Sequence, residues 1–208
     1  MRNILSPPDE RALSGDTDDN IELLKAWAGT SLAFAIFMVG GQVLQPGFVT
    51  FLIIAAITCG IGFLLHELAH RILARNYGAE AHFVANNPWL LLSVVIAFAG
   101  IFIAAPGAVW HRGYLTKRQG GMIALAGPAT NLALAVLFLL LSFAIPAGGF
   151  LAIMAFVGYQ INAWLGLFNM IPAGPFDGAK VLNWSPVVFG VTVAIAVILV
   201  FVLPRMVF

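Results

Sequence analysis

The sequence predicts an all-α polytopic membrane protein, with about five to six transmembrane helices in one membrane-embedded domain. Of its 208 residues, 61% are hydrophobic and only 9% are charged. Soluble domains carry about 25% charged residues, and a soluble chain of this length could not bury so much apolar surface. Residues 48–65 contain no charged side chain at all. The formal net charge is only +1, so we expect no nucleic-acid partner, because no basic surface is present to neutralise its phosphates.

Residues 1–25 are predicted to form a polar N-terminal tail, followed by a single membrane domain at 26–208. The tail has prolines and several acidic residues but no sustained apolar run, so it lacks the pattern of a signal peptide. The first apolar run, from Trp27 to Leu44, is long enough to span a bilayer. Gln45-Pro46-Gly47 then favours a tight turn.

The second span begins near Phe48 and ends in the motif His66-Glu67-Leu68-Ala69-His70. Two histidines four residues apart lie on one face of a helix, where their ring nitrogens can bind a single Zn²⁺. Glu67 lies beside that position, where a carboxylate can take a proton from a water that the zinc activates. This motif can occur by accident on a soluble helix, and the charge-free helix before it makes the zinc interpretation more specific. Arg71 and Arg75 follow, and they indicate the cytoplasmic end of the helix.

Residues 88–109 are apolar and long enough for a span, but Gly100, Pro106 and Gly107 interrupt their second half. A full crossing would place the basic residues that begin at Arg112 outside the cell, against the positive-inside rule. We therefore predict a re-entrant segment that enters and leaves on the cytoplasmic side, with its backbone satisfied by other protein or a cavity. Hydropathy alone favours the alternative, which is a sixth span.

Three further apolar runs follow, from about Gly121 to Phe143, from Phe150 to Ile171 and from Val187 to Leu203. If the first two cross the membrane out and back, Asp177 returns to the leaflet that holds the two motif histidines. Zinc ligands must lie at the same depth, so this parity agrees with the prediction of a re-entrant segment.

Three stretches together resemble the site-2 protease family of intramembrane zinc metalloproteases. They are the histidine motif, Gly127-Pro128-Ala129-Thr130-Asn131, and the segment from Asn169 to Gly178. The resemblance covers roughly residues 48–183 and implies a three-helix catalytic core there. The family's last motif reads Leu-Asp-Gly, and this chain departs from it conservatively with Phe176.

The resemblance implies that His66, His70 and Asp177 hold one Zn²⁺ per chain and that Glu67 is the catalytic base. Asn131 and Asn169 have two open interpretations. They could hold the substrate backbone or stabilise the developing oxyanion, or they could make the interhelical hydrogen bonds that are common in membranes.

The hypothesis that follows is a zinc-dependent intramembrane endopeptidase, which cuts within or near transmembrane segments. Its expected partners are a transmembrane protein substrate and the lipid bilayer. Its expected place is the cell membrane of a prokaryote, with the active site near the cytoplasmic face. One alternative is a non-catalytic relative that binds membrane proteins. A transporter is a third reading, which the charges of a hydrolytic zinc site and the lack of an evident inverted repeat disfavour.

Overall fold

A computed structural model describes residues 18–104 and 107–207, most of which lie in long helices. The elements in chain order are α1 (Asp19–Met38), α2 (Phe48–Asn76), β1 (Glu80–Ala85), α3 (Asn87–Ala97), β2 (Gly107–Arg112), α4 (Lys117–Ala144), α5 (Gly149–Asn169), α6 (Asp177–Trp184), α7 (Pro186–Val197) and α8 (Leu203–Val207). One π-helical segment, Ala56–Gly60, lies within α2, and another, Ile198–Val202, joins α7 to α8.

Five of the described helices are long and apolar enough to cross a membrane. They are α1, α2, α4, α5 and the continuous helix Pro186–Arg205. The chain is therefore an all-α polytopic membrane protein, as predicted. The small sheet formed by β1 and β2 is a feature that the sequence analysis did not predict.

The first helix begins earlier than the apolar run that predicted it. Asp18 caps α1, because its carboxylate accepts a hydrogen bond from the backbone N–H of Asn20 at 2.9 Å. The helix ends at Met38, before Gly40 and Gly41, which have φ values of 59° and 80°. Residues 19–25 of the predicted tail thus belong to α1, and residues 1–17 lie outside the described part of the chain.

The segment at 88–109 packs along α1 and returns to the place where it began. β1 and β2 pair antiparallel, with Ala85 opposite Gly107, so the chain comes back to the point from which it left. Between them, α3 has 11 residues, which corresponds to about 16 Å and is too short for a hydrocarbon core of about 30 Å. Among the described residues this segment therefore holds no helix long enough to be a sixth span, and the pairing of β1 with β2 agrees with the predicted re-entrant path.

α4 lies at the centre of the bundle and packs against α2, α5 and α6. A buried cluster joins α4 and α5 to the last helix through Leu139, Ala163 and Leu199, among others. A second cluster joins α1, α2 and α5 around Phe34, Cys59 and Ile161, among others. This packing fixes the heights of α2, α4 and α5 relative to one another, and the three helices meet at the candidate site.

Candidate metal centre

The structure brings together His66, His70 and Asp177, although Asp177 lies more than a hundred residues after the motif. Their ligand atoms all lie within 4.8 Å of one another, and all three residues are buried. Nε2 of His66 is 2.9 Å from Nε2 of His70. Oδ2 of Asp177 is 3.3 Å from the first of these nitrogens and 3.2 Å from the second.

The two histidines are held by α2, and the aspartate is the first residue of α6. α5 ends at Asn169, and a turn with Pro172, Gly174 and Pro175 leads to α6. Gly174 has a φ of 60°, a backbone conformation that glycine adopts at little cost. The turn is tight, since a Cβ at Gly178 would lie 2.7 Å from the carbonyl oxygen of Ile171 and closer still to the backbone of Met170.

Hydrogen-bond partners determine which nitrogen of each imidazole carries the proton. Nδ1 of His70 lies 2.7 Å from the carbonyl oxygen of Ile123, which can only accept, so Nδ1–H is the donor. Nδ1 of His66 lies 2.6 Å from Oδ1 of Asn131 and donates in the same way. In the neutral rings, both Nε2 atoms therefore present lone pairs to each other and to Asp177.

Asp177 contributes a negative charge to this group. Burial alone would raise the pKa of its carboxyl, but its contacts with His66 and His70 outweigh burial and hold the pKa well below its usual range. Two imidazole nitrogens and a carboxylate oxygen thus converge within one small volume. This donor set suits Zn²⁺, and three protein ligands are typical of a catalytic zinc site, which keeps a fourth position open.

Glu67 lies beside the group and is not part of it. Glu67 is 7% exposed and lines the same pocket as the two histidines. The backbone N–H of Val109 in β2 is placed to donate a hydrogen bond to its carboxylate. A carboxylate next to a metal site, with access to the pocket, is suited to proton transfer.

The pocket above these residues has a volume of about 160 Å³. Asn169 lines it, and its side-chain amide donates to the carbonyl of Leu165 at 3.0 Å. His111 and Lys180 line it as well. Burial, together with the neighbouring Lys180 and His70, lowers the pKa of His111, so its imidazole is neutral near pH 7.

Asn131 lines the same pocket as Asn169, but its side-chain oxygen accepts from Nδ1 of His66 at 2.6 Å. Asn131 is fully buried, and both its donor bonds are made, to the carbonyl of Gly62 at 3.1 Å and to Oδ1 of Asn162 at 3.0 Å. Asn162 is also fully buried, and it belongs to none of the three sequence motifs. Its only signal is an amide side chain within the apolar run of α5.

Sequence comparison finds relatives that are named for zinc and proteolysis. The chain is 45% identical over 142 residues to the candidate zinc metalloprotease MJ0611 of Methanocaldococcus jannaschii, which covers 67% of this chain and 74% of that protein. It is 31% identical over 145 residues to the candidate zinc metalloprotease YwhC of Bacillus subtilis, covering 61% and 66% respectively.

A third relative, the candidate zinc metalloprotease Rip3 of Mycobacterium tuberculosis, is 33% identical over 123 residues, which are 58% of this chain but only 28% of that protein. No family model matches the chain. No solved structure matches it either.

Proposed function

This chain belongs to the site-2 protease-like family of zinc metalloproteases, and from that premise we propose that it is an intramembrane endopeptidase. The observation that carries the proposal is the convergence of His66, His70 and Asp177 beside Glu67, at the meeting point of three membrane helices. The proposed reaction is hydrolysis of a peptide bond within or near a transmembrane segment of another protein.

His66, His70 and Asp177 are the residues that would hold the metal. When bound there, Zn²⁺ would supply Lewis acidity for a peptide carbonyl and for water near neutral pH. Glu67 is the proposed general base, which accepts a proton from the attacking water and returns it to the leaving amine.

An apolar groove supports a substrate that comes from the membrane. The groove lies between α1 and α5 and has a volume of about 470 Å³. Phe37, Phe102 and Trp164 line it, among other apolar side chains. It shares Ala104, Leu165 and Asn169 with the pocket of the metal centre, so the two spaces adjoin. Apolar side chains of a transmembrane segment could lie in this groove while the adjoining peptide bond reaches Glu67.

The substrate must present an extended backbone, because the peptide groups of an intact helix are already hydrogen-bonded. β2 lies beside Glu67 and pairs with β1 on one edge only, among the described residues. Asn169, at the junction of pocket and groove, is the better placed of the two predicted asparagines to contact substrate, because Asn131 has both donor bonds already made.

The proposed location is the cell membrane of a prokaryote, with the site near the cytoplasmic face. Arg71 and Arg75 end α2, and Lys117 and Arg118 begin α4, on the side where β1 and β2 lie. Positive charge at one set of helix ends favours the cytoplasm for that side. The relatives described above also come from prokaryotes.

The test is cleavage of single-span synthetic peptides of varied sequence, reconstituted in vesicles with the wild-type protein or Glu67→Gln and analysed by mass spectrometry. We expect the wild type to cut, and Glu67→Gln to keep its zinc while cleavage falls by about 10²- to 10⁴-fold. Glu80→Gln, the same change at an exposed position on β1, serves as the control. Cleavage by Glu67→Gln at the wild-type rate would refute the role of Glu67. Peptides bound but uncut by the wild type would favour the non-catalytic binding relative.

A further inference from the structure

A chain of hydrogen bonds runs from two backbone carbonyls to His66. The side-chain amide of Asn162 donates to the carbonyl of Gly158 at 2.9 Å and to that of Thr58 at 3.3 Å. Oδ1 of Asn162 accepts from the amide of Asn131 at 3.0 Å. Oδ1 of Asn131 in turn accepts from Nδ1 of His66 at 2.6 Å.

The two backbone carbonyls determine which group donates and which accepts in every hydrogen bond of this series. A backbone carbonyl can only accept, so the NH₂ group of Asn162 must face Gly158 and Thr58, and its oxygen must face Asn131. Asn131 is oriented for the same reason, and also because its NH₂ group donates to the carbonyl of Gly62. The oxygen that remains for His66 can only accept, which leaves the proton on Nδ1 and the lone pair on Nε2.

The π-helical segment of α2 takes part in this arrangement. It spans Ala56–Gly60, six residues before His66, and one of its carbonyls is that of Thr58. A π segment departs from the regular α-helical bonding pattern, and such segments are frequent at functional sites. The close approach of α5 also depends on a glycine, because a Cβ at Gly62 would lie 3.0 Å from Cγ of Asn162 and closer to its oxygen.

We propose that Asn162 and Asn131 are positioning residues, which hold His66 in the tautomer and orientation that a metal ligand needs. The proposal rests on the zinc site proposed above and extends it to a residue of α5 outside all three motifs. His70 is oriented in the same way by a backbone carbonyl, that of Ile123, which accepts from its Nδ1–H. The partner of Nδ1 in His66 is instead a side chain, that of Asn131, which Asn162 orients in turn.

The experiment compares Asn162→Leu, Asn131→Leu and Asn131→Asp with the wild-type protein in detergent. Three quantities are measured for each: zinc affinity by competition with a chelator, the visible absorption of the Co²⁺-substituted protein, and the unfolding temperature. Loss of a group that orients a metal-binding histidine typically lowers metal affinity by about 10- to 100-fold. We expect such a loss in both leucine variants, with an altered Co²⁺ spectrum.

Asn131→Asp separates positioning from a structural role. An aspartate keeps an acceptor opposite Nδ1 of His66 but introduces a buried charge, which destabilises the fold more than leucine does. Positioning therefore predicts that Asn131→Asp binds zinc more tightly than Asn131→Leu, although it unfolds at a lower temperature. A purely structural role predicts that zinc affinity follows the unfolding temperature, so that Asn131→Asp would bind zinc more weakly than Asn131→Leu. That result would overturn the proposal.

Thr192→Val is the matched control, since Thr192 is a buried polar residue of α7, 8% exposed, whose hydroxyl donates to Val188. It is expected to bind zinc as the wild type does. Wild-type affinity and spectrum in folded Asn162→Leu and Asn131→Leu would refute the positioning role while the zinc site stands. Failure of the wild type itself to bind zinc would instead refute the proposed function, and the positioning role with it.

Discussion

Gly127 faces both imidazoles of the metal centre from α4. A Cβ at this position would lie 2.5 Å from Nε2 of His66 and would also crowd Nε2 of His70. The nearest atoms are the two nitrogens that carry the lone pairs of the site. The glycine of the Gly127–Asn131 motif thus leaves the space in which α4 can approach the ligands.

Replacement of Gly127 by alanine is expected to weaken zinc binding. Overpacking typically costs about 1–3 kcal/mol, which corresponds to roughly 5- to 150-fold in affinity if the strain falls on the ligands. Chelator competition measures the change. Gly190→Ala in α7 is the control, because a Cβ there meets nothing within 4 Å. Equal zinc affinity in the two variants would contradict the close approach of α4.

At the level of residues, the sequence predicts which side chains come together as metal ligands, but it does not predict which side chains orient them. His66 and His70 follow from helix geometry, and Asp177 follows from the resemblance and the parity of the spans. Asn162 could not be found in this way. Its partners lie on α2 and α4, so its role depends on how closely three helices approach one another, which no local pattern encodes.

Ion pairs tie the start of α1 to the end of α2 and to β1. Asp19 lies 3.1 Å from Arg71, 2.9 Å from Arg75 and 3.0 Å from Nδ1 of His82. Nearby, Glu22 accepts a hydrogen bond from the backbone N–H of Ala85 at 3.2 Å. These contacts explain why α1 can begin among charged residues, ahead of its apolar run.

Asp19→Asn is expected to destabilise the protein by about 1–3 kcal/mol, because three cationic or polar partners lose a charge-assisted hydrogen bond. Thermal unfolding in detergent measures this change. Asp18→Asn offers a matched control at the neighbouring residue, since asparagine also caps helices and the only bond of the Asp18 side chain in the described structure is to the backbone N–H of Asn20. A difference of less than a few tenths of a kcal/mol between the unfolding free energies of the two variants would contradict a stabilising role for the Asp19 ion pairs.

At the level of helices and strands, the hydropathy pattern predicts the long spans but not the small sheet. The long apolar runs predict α2, α4 and α5 to within a few residues, because length and hydropathy determine a span. β1 and β2 were missed, since strand preference depends on the surface that a segment packs against. Phe83 is fully buried against Phe63 of α2, and this contact is absent from any local pattern.

For the whole molecule, the pairing of β1 with β2 places the end of α2 and the start of α4 on one side. Crossings by α4 and α5 then return the chain to that side at Asp177. The parity that the sequence predicts therefore agrees with the assembled ligands. A sixth crossing at 88–109 would have separated Asp177 from the histidines.

Single cysteines can test this topology in vesicles of known orientation, labelled with a membrane-impermeant maleimide. Cysteines at Glu80 and Lys117 should label from the same side, and cysteines at Gln45 and Ala147 from the opposite side. All four positions are exposed. The native Cys59 is 0% exposed and can be replaced by alanine as the background. Labelling of Glu80 and Lys117 positions from opposite sides would contradict the return of the chain after β1.

The central claim is that His66, His70 and Asp177 form one zinc site, and metal content tests it most directly without knowledge of the substrate. Zinc is measured in the detergent-purified wild type beside His66→Ala and Asp177→Ala. We expect one zinc per chain in the wild type and its loss or sharp weakening in both variants. Zinc that persists in Asp177→Ala but is lost in His66→Ala would place the third ligand elsewhere. A folded wild type that binds no zinc would contradict the whole account.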